Sequence, residues 1–338
     1  LTGFGWELLG YSQYKFLPLI QLADLTGTYG ISYFLVMTNL ALYYWLKERR
    51  KVTWQIAVYS VLFAVIFAYG FFKLHQGSAP AGLKVAIVQG NIPQEWKWQE
   101  DKKSFILEKY ALLTELAARE NPQLIIWPET AFPAYLWQEP ELFARVLELA
   151  KKVNRPLLIG LVTSEGMAIY NSAMLISAAG EPVQVYHKLH LVPFGEYIPL
   201  RKIFPFLETV VPIGDFTAGR EYTIFKIPAA FSSLICFEDT VPELSRQFVR
   251  RGAKFLVNIT NDAWFKETAA PYQHLQASVM RAVENRRPLI RSANTGISAF
   301  INSSGVILYQ VQRDGKDTFV DGFLTREISL GEGITFYT

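Results

Sequence analysis

Cysteine is almost absent from this chain. Cys236 is the only one in 338 residues, so no internal disulfide can form. Charge is scarce as well: 19% of residues are charged, against 51% hydrophobic and 14% aromatic. The net charge of +3 is too small and too dispersed for a nucleic-acid partner. The four histidines, His75, His187, His190 and His274, form no i, i+4 pair and no cluster with cysteine, so no metal-ligand spacing is present. No glycine-rich phosphate loop occurs either.

What is abundant is apolar sequence, concentrated in the first eighty residues. Thr26 to Leu46 carries no charge, and neither does Val52 to Phe72. Each run matches the roughly 20 residues a helix needs to cross a hydrocarbon core of about 30 Å. Between them lies the basic hinge Lys47-Glu48-Arg49-Arg50-Lys51, with Tyr43, Tyr44, Trp45 and Trp54 forming an aromatic belt beside it. The alternative is a buried helical hairpin in a large soluble core. Read as spans, the basic hinge lies in the cytoplasm, and everything from about Leu83 onward lies on the opposite side. Residues 1–25 read as the tail of an earlier membrane element, and no signal-peptide cleavage site follows the spans. Residues 1–82 are therefore expected to form a membrane region.

After the linker Gln76 to Gly82, residues 83–330 have the length of one large domain. Buried strands are expected at Lys84–Gln89, Leu124–Trp127, Leu157–Val162, Ser232–Ile235 and Phe255–Ile259. Helices are expected at Asp101–Glu120, Pro140–Val153, Val241–Arg251 and Ala269–Arg286. Ala179-Gly180-Glu181-Pro182 signals a hairpin between Ile169–Ser177 and Val183–Tyr186. Four more strands follow: Leu289–Ser292, Ile297–Ile301, Val306–Tyr309 and Thr318–Phe323. Strands alternating with helices, plus hairpins, predict an α/β fold of sheets covered by helices.

Three reactive side chains stand at the ends of apolar runs. Cys236 ends the run into Ser232-Ser233-Leu234-Ile235, Glu129 follows Ile125-Ile126-Trp127-Pro128, and Lys188 follows Tyr186-His187. A thiol where a strand hands over to a helix is presented outward, beside helix amides that steady negative charge. Taken on its own, a lone cysteine reads first as a small buried hydrophobe. A base, a cation and a thiol at three strand ends together point to covalent acyl chemistry. Two loops are unusually apolar: Ala131 to Trp137, and Ile198 to Ile213. Such loops either fold into the core or lie against lipid. For Ile198–Ile213 we expect lipid contact, so that charging Phe204 and Phe206 cuts lipid turnover in a folded domain.

The order and the flanking residues resemble those of the nitrilase, or carbon–nitrogen hydrolase, superfamily, and most closely its membrane-embedded apolipoprotein N-acyltransferase family. The matching stretches are Val88 to Gln94, Trp127-Pro128-Glu129-Thr130-Ala131, His187 to Glu196, Ile235-Cys236-Phe237-Glu238 and Asn261-Asp262-Ala263-Trp264-Phe265. The resemblance implies a nitrilase-like α-β-β-α sandwich attached to transmembrane helices. It implies Cys236 as nucleophile, with a pKa that neighbours must lower, Glu129 as general base and Lys188 as the oxyanion cation. Glu196 is implied as a supporting residue and Trp98 as a residue near the substrate. Glu238 is expected to orient the nucleophile turn, or else to cap the following helix. Phe237 stands where relatives often have tyrosine, which keeps shape and backbone roles at the substrate side but no hydroxyl. Asn261, Asp262 and Trp264 are expected to build the site wall, having no acid–base partner.

The reaction implied is transfer of an acyl chain from a phospholipid to the N-terminal amine of a diacylglyceryl-cysteine apolipoprotein, through a Cys236 thioester. It needs no metal and no organic cofactor. The partners implied are the phospholipid donor, the apolipoprotein acceptor and the bilayer; a monomer is expected. The location implied is the bacterial inner membrane, multi-pass, with the catalytic domain on the periplasmic side. Residues 331–338 would begin a connection to a further C-terminal span. A nitrilase-like amidase acting on a small C–N substrate would use the same residues with water as acceptor. A catalytically inert membrane scaffold is the third possibility, and it need not keep all three reactive groups.

Overall fold

The computed structural model describes residues 5–47, 53–76, 81–199 and 216–338. Most of the basic hinge, the middle of the Gln76–Gly82 linker and residues 200–213 of the apolar loop, with Phe204 and Phe206, lie outside the described residues.

The N-terminal part is helical. Two 3-10 turns, Gly5–Glu7 and Leu9–Gln13, and the short α1 (Leu17–Ile20) lead into α2 (Ala23–Lys47) and α3 (Thr53–His75). α2 and α3 pair through Phe34, whose ring lies 5.9 Å from Tyr59 and 5.8 Å from Phe63. Among the described residues one helix, Trp54–His75, is long and apolar enough to cross a membrane. The other expected span lies on α2, where Thr28, Ser32, Thr38 and Asn39 dilute the apolar run and the backbone leaves helical geometry at Gly27. Val58, Val61, Leu62, Val65, Phe71 and Phe72 on α3 are exposed, as are Tyr29, Tyr33, Val36 and Leu40 on α2. A hairpin in a soluble core would bury these side chains; here they face outward, as lipid contact requires.

From Ala81 onward the chain forms two sheets. The first has the order β11-β1-β2-β3-β4-β5: β1 (Ala81–Gln89), β2 (Leu124–Ile126), β3 (Leu157–Glu165), β4 (Ala168–Ile176), β5 (Pro182–His187) and β11 (Gly322–Ser329). The second has the order β10-β9-β8-β7-β6: β6 (Phe231–Ile235), β7 (Phe255–Thr260), β8 (Leu289–Ala293), β9 (Ala299–Ile301) and β10 (Ile307–Gln310). In each sheet three parallel strands form one part, β1–β3 or β6–β8, and antiparallel hairpins extend it. The parallel strands are apolar on both faces because both faces are covered. Val85, Ile87, Leu124 and Ile126 turn toward the second sheet, while Ala86, Val88, Ile125 and Trp127 turn toward α4 (Lys103–Ala118) and α5 (Pro140–Val153). α6 (Pro242–Arg250) and α7 (Ala270–Asn285) cover the second sheet. The result is the expected α-β-β-α sandwich, with α2 docked on α7: Thr28 donates its backbone N–H and its hydroxyl to Glu284 Oε1, each at 2.8 Å.

Two expectations are corrected. The last strand runs from Gly322 to Ser329, not from Thr318 to Phe323; it is an edge strand whose Arg326-Glu327 interrupts the apolar run, with Glu327 registered opposite Lys84. The turn after β6 is a 3-10 segment, Cys236–Thr240, and the α-helix begins only at Pro242. Cys236 therefore does not sit at an α-helix N-terminus, and no helix dipole carries its charge.

Candidate active site

Glu129, Lys188 and Cys236 come from three different strand ends and meet where the two sheets face each other. Two of them sit on strained backbone. Thr130, just after Glu129, has φ 44°, and Cys236 itself has φ 52°. Left-handed geometry at a non-glycine residue costs on the order of 1–3 kcal/mol and persists only where surroundings fix it. Gly160 on β3 explains one fixture. A Cβ there would lie 2.3 Å from Pro128 O and 2.6 Å from Glu129 Cα, so only glycine lets β3 approach the base turn.

The base is nearly enclosed. Glu129 Oε1 accepts from Asn171 Nδ2 at 2.7 Å and lies 3.8 Å from Lys188 Nζ; its Oε2 accepts the Asn261 backbone N–H at 2.9 Å. Lys188 is 1% exposed and ion-paired with Glu196 Oε2 at 2.8 Å. Burial alone would neutralise this lysine, but Glu196 and Glu129 outweigh it and hold the ammonium well above the usual lysine range. Glu196 in turn is held below the usual carboxylate range: burial opposes its charge, and Lys188, Asn171 and the Val192 N–H overcome burial. Asn171 bridges the two carboxylates, donating also to Glu196 Oε1 at 2.9 Å.

Cys236 differs from expectation. Cys236 is half-buried, and burial, reinforced by the Glu129 carboxylate, pushes its thiol well above the usual range despite Lys188. The resting group is thus a thiol beside a base, not a preformed thiolate. Such a pair is activated by proton transfer at the moment of attack.

Glu238 does more than cap. Its Oε1 accepts the backbone N–H groups of Leu189 (2.7 Å) and His190 (3.0 Å), and its Oε2 accepts that of Ile235 (2.7 Å). Tyr186 Oη donates to both carboxylate oxygens, at 2.8 and 2.9 Å. One side chain thus ties the loop after Lys188 to the turn that carries Cys236. Burial pushes its carboxyl up to about 7 against these donors.

Phe237 is only 5% exposed, its ring 6.4 Å from Trp6 and 6.1 Å from His190, so it packs the turn from beneath. Trp98 is 45% exposed and stacks on Tyr135 at 5.2 Å, beside the Ala131–Trp137 loop. Trp264 is exposed, whereas Asn261 and Asp262 are buried. Asp262 does have a partner, contrary to expectation: His274 Nδ1 lies 2.9 Å from its Oδ1, and Arg291 Nη2 donates to its Oδ2 at 3.0 Å. The same imidazole and guanidinium reach Asp239, at 2.9 and 3.0 Å. Asn258, which accepts from Arg291 at 2.7 Å, donates to the Cys236 carbonyl at 3.0 Å. This fully buried Asp–His–Asp–Arg network is the floor of the nucleophile turn.

Sequence reasoning missed Asn171, His274, Arg291 and Lys97. Of these, only Lys97 had a local signal, standing beside Trp98, a residue the resemblance had implied near the substrate; the others sit inside apolar or helical runs.

Comparison with known proteins identifies the family and the fold. The carbon-nitrogen hydrolase family model matches residues 84–332, and that of the apolipoprotein N-acyltransferase N-terminal domain matches residues 1–41. A protein of Geobacter metallireducens named apolipoprotein N-acyltransferase is 41% identical over 350 residues, covering 100% of this chain and 66% of its own. Proteins of the same name from Chlorobaculum tepidum and Nitrosomonas europaea are 33% and 36% identical, each covering 99% of this chain and 68% of its own. The chain thus spans about two thirds of the length of these relatives. Among solved structures, an amidase variant from Nesterenkonia sp. AN1, with an acetamide moiety covalently added at its active-site cysteine, superposes with TM-score 0.57 at 20% identity, covering 75% of this chain and 94% of its own. That likeness shows the fold.

Proposed function

Since the chain belongs to the apolipoprotein N-acyltransferase family of the carbon–nitrogen hydrolases, we propose that it transfers an acyl chain from a phospholipid to the N-terminal amine of a diacylglyceryl-cysteine apolipoprotein, through a thioester on Cys236. The observation that carries this reading is the convergence of Glu129, Lys188 and Cys236 in a sandwich whose chain also carries a helix with outward-facing apolar side chains. A soluble amide gives no reason for that helix; a lipid ester does.

The geometry supports a balanced two-step exchange. Glu129 takes the Cys236 proton as the sulfur attacks the ester carbonyl. Lys188, with a backbone N–H after Cys236, faces the oxyanion. Collapse breaks the carbon–oxygen bond, and the Glu129 proton goes to the departing lysophospholipid alcohol, leaving the thioester. The acceptor amine then attacks, gives one proton to Glu129, and the expelled thiolate takes it back. Glu196 and Asn171 keep Lys188 charged and the base aligned, Glu238 fixes the turn, and Trp98 walls the entrance, with Phe237 behind the turn. The reading places the protein in the bacterial inner membrane as a multi-pass monomer with the sandwich on the periplasmic side, and divides it into a membrane region (1–82), the catalytic domain (83–330) and a connection (331–338).

Intact-mass measurement of the full-length protein after incubation with phospholipid in detergent micelles tests this. An added acyl mass that hydroxylamine removes is expected, and Cys236→Ser should lack it. Glu129→Gln should slow its formation by about 10²- to 10⁴-fold while the protein stays folded. A folded full-length enzyme that never acquires the adduct, yet hydrolyses small amides, would shift the assignment to the amidase.

A further inference from the structure

Lys97 belongs to no part of the catalytic set described so far, yet it is 3% exposed and stands directly behind the base. Its ammonium donates to the backbone carbonyl of Glu129 at 3.1 Å, to that of Thr130 at 3.2 Å and to Thr130 Oγ1 at 2.8 Å. All three partners are neutral oxygens. A buried ammonium without a carboxylate partner is costly, because desolvation is offset only by hydrogen bonds to neutral oxygens. The titratable groups it faces are the Glu129 carboxylate and the Cys236 thiol.

The three bonds close on the strained point of the site, where Thr130 holds φ 44°. Holding both carbonyls of that turn aims the Glu129 side chain at Cys236, while Gly160 leaves room for the turn on its other side. We propose that Lys97 is a positioning residue for the acyl transfer: its ammonium clamps the Glu129–Thr130 turn and sets a second positive charge, besides Lys188, behind the base–thiol pair. The inference rests on the functional reading above and deepens it. Two cations then face one carboxylate and one thiol, so the charge that appears on sulfur, and later on the oxyanion, is met on both sides. Burial lowers Lys97 to about 8, so the ammonium form still predominates at neutral pH.

Cys236 is the only cysteine in these 338 residues, and mapping the alkylated peptide reads its ionisation alone. Full-length protein in detergent micelles is alkylated with iodoacetamide across a pH series, and acyl-enzyme formation from phospholipid is timed by intact mass. At any fixed pH on the rising part of the profile, Lys97→Met and Lys97→Gln should alkylate about tenfold more slowly, the equivalent of about one unit in the thiol's ionisation. They should slow acylation about 10- to 100-fold with the donor KM changed less than about threefold. Lys97→Arg, which keeps the charge, should restore the pH profile. Should the Met and Gln variants fail to fold, Thr130→Val removes one clamp partner and should slow acylation about threefold to tenfold. A folded Gln variant with the wild-type alkylation profile, an Arg variant no better than Gln, or a Thr130→Val variant with unchanged acylation each overturns the proposal. A wild-type enzyme that takes no acyl group overturns the functional reading instead, and leaves the alkylation profile to judge Lys97.

Discussion

The N-terminal helices and the sandwich invert each other. α3 turns valine and phenylalanine outward, whereas the sandwich buries Arg281, Glu284, Arg291, His274, Asp239 and Asp262. Each would be an anomaly in an ordinary soluble domain. Together they say which solvent each part meets: lipid outside the helices, and a closed polar interior where charge is fixed in place. Under the proposed function, the helices would bring the enzyme to a lipid ester, and the interior would activate a half-buried thiol there. The two parts are also joined by charge, since Arg286 holds Asp24 through Nη2 at 2.8 Å and Thr28 is bonded to Glu284.

The difference can be broken from the sandwich side first. Arg291→Met strips both Asp239 and Asp262 of their guanidinium and leaves buried carboxylates uncompensated; a loss of about 3–5 kcal/mol in unfolding free energy is expected, read by denaturant titration of the detergent-solubilised protein. An unchanged midpoint would mean that the network is dispensable.

A smaller effect is expected from pH alone. Burial and Arg291 oppose the positive charge on His274, but Asp239 and Asp262 outweigh them and raise it to about 9 from an ordinary 6.5. A base raised on folding stabilises fully below its unfolded pKa, and that contribution is lost as pH climbs through the folded one. Stability should therefore fall between pH 6.5 and 9, by on the order of 3 kcal/mol, and His274→Gln should flatten that slope. A slope that survives the substitution would place the titration elsewhere.

From the helix side, Val61→Lys sets a charge on the exposed face of α3. Its insertion cost is about 2.5–3.5 kcal/mol at a helix centre. It should deplete the protein from the membrane fraction while leaving the melting of any solubilised protein within a degree or two. Val61→Leu, the mildest change, should move neither reading by more than about 0.5 kcal/mol. If Val61→Lys instead destabilised the sandwich, the outward face of α3 would be a packing surface.

Much of the fold was legible. α5 matches its expected bounds, Pro140–Val153, and most strands begin or end within a residue or two, because they are buried on both faces and read as unbroken apolar runs. The edge strand Gly322–Ser329 escaped because Thr325, Arg326 and Glu327 break the apolar run, Glu327 exposed and Arg326 lying over the Tyr309 ring. Glu129, Lys188 and Cys236 were legible for another reason: each sits in a short motif at a strand end. Their electrostatics were not. A thiol with a lowered pKa was expected and a raised one was found, since burial and the facing carboxylate depend on which strands lie side by side.

The order of base, cation and thiol, the apolar segments, and the family were all determined by the amino-acid sequence, because local pattern and motif survive without knowledge of what packs against them. Tertiary structure alone decided what surrounds those groups. Asn261 gives its backbone N–H to Glu129 from 132 residues away, Glu238 ties Leu189 to Cys236's turn across 49, and Lys97 reaches Thr130 across 33. The physical reason is that a buried polar group must find a partner wherever the fold brings one, and no spacing along the chain records where that will be.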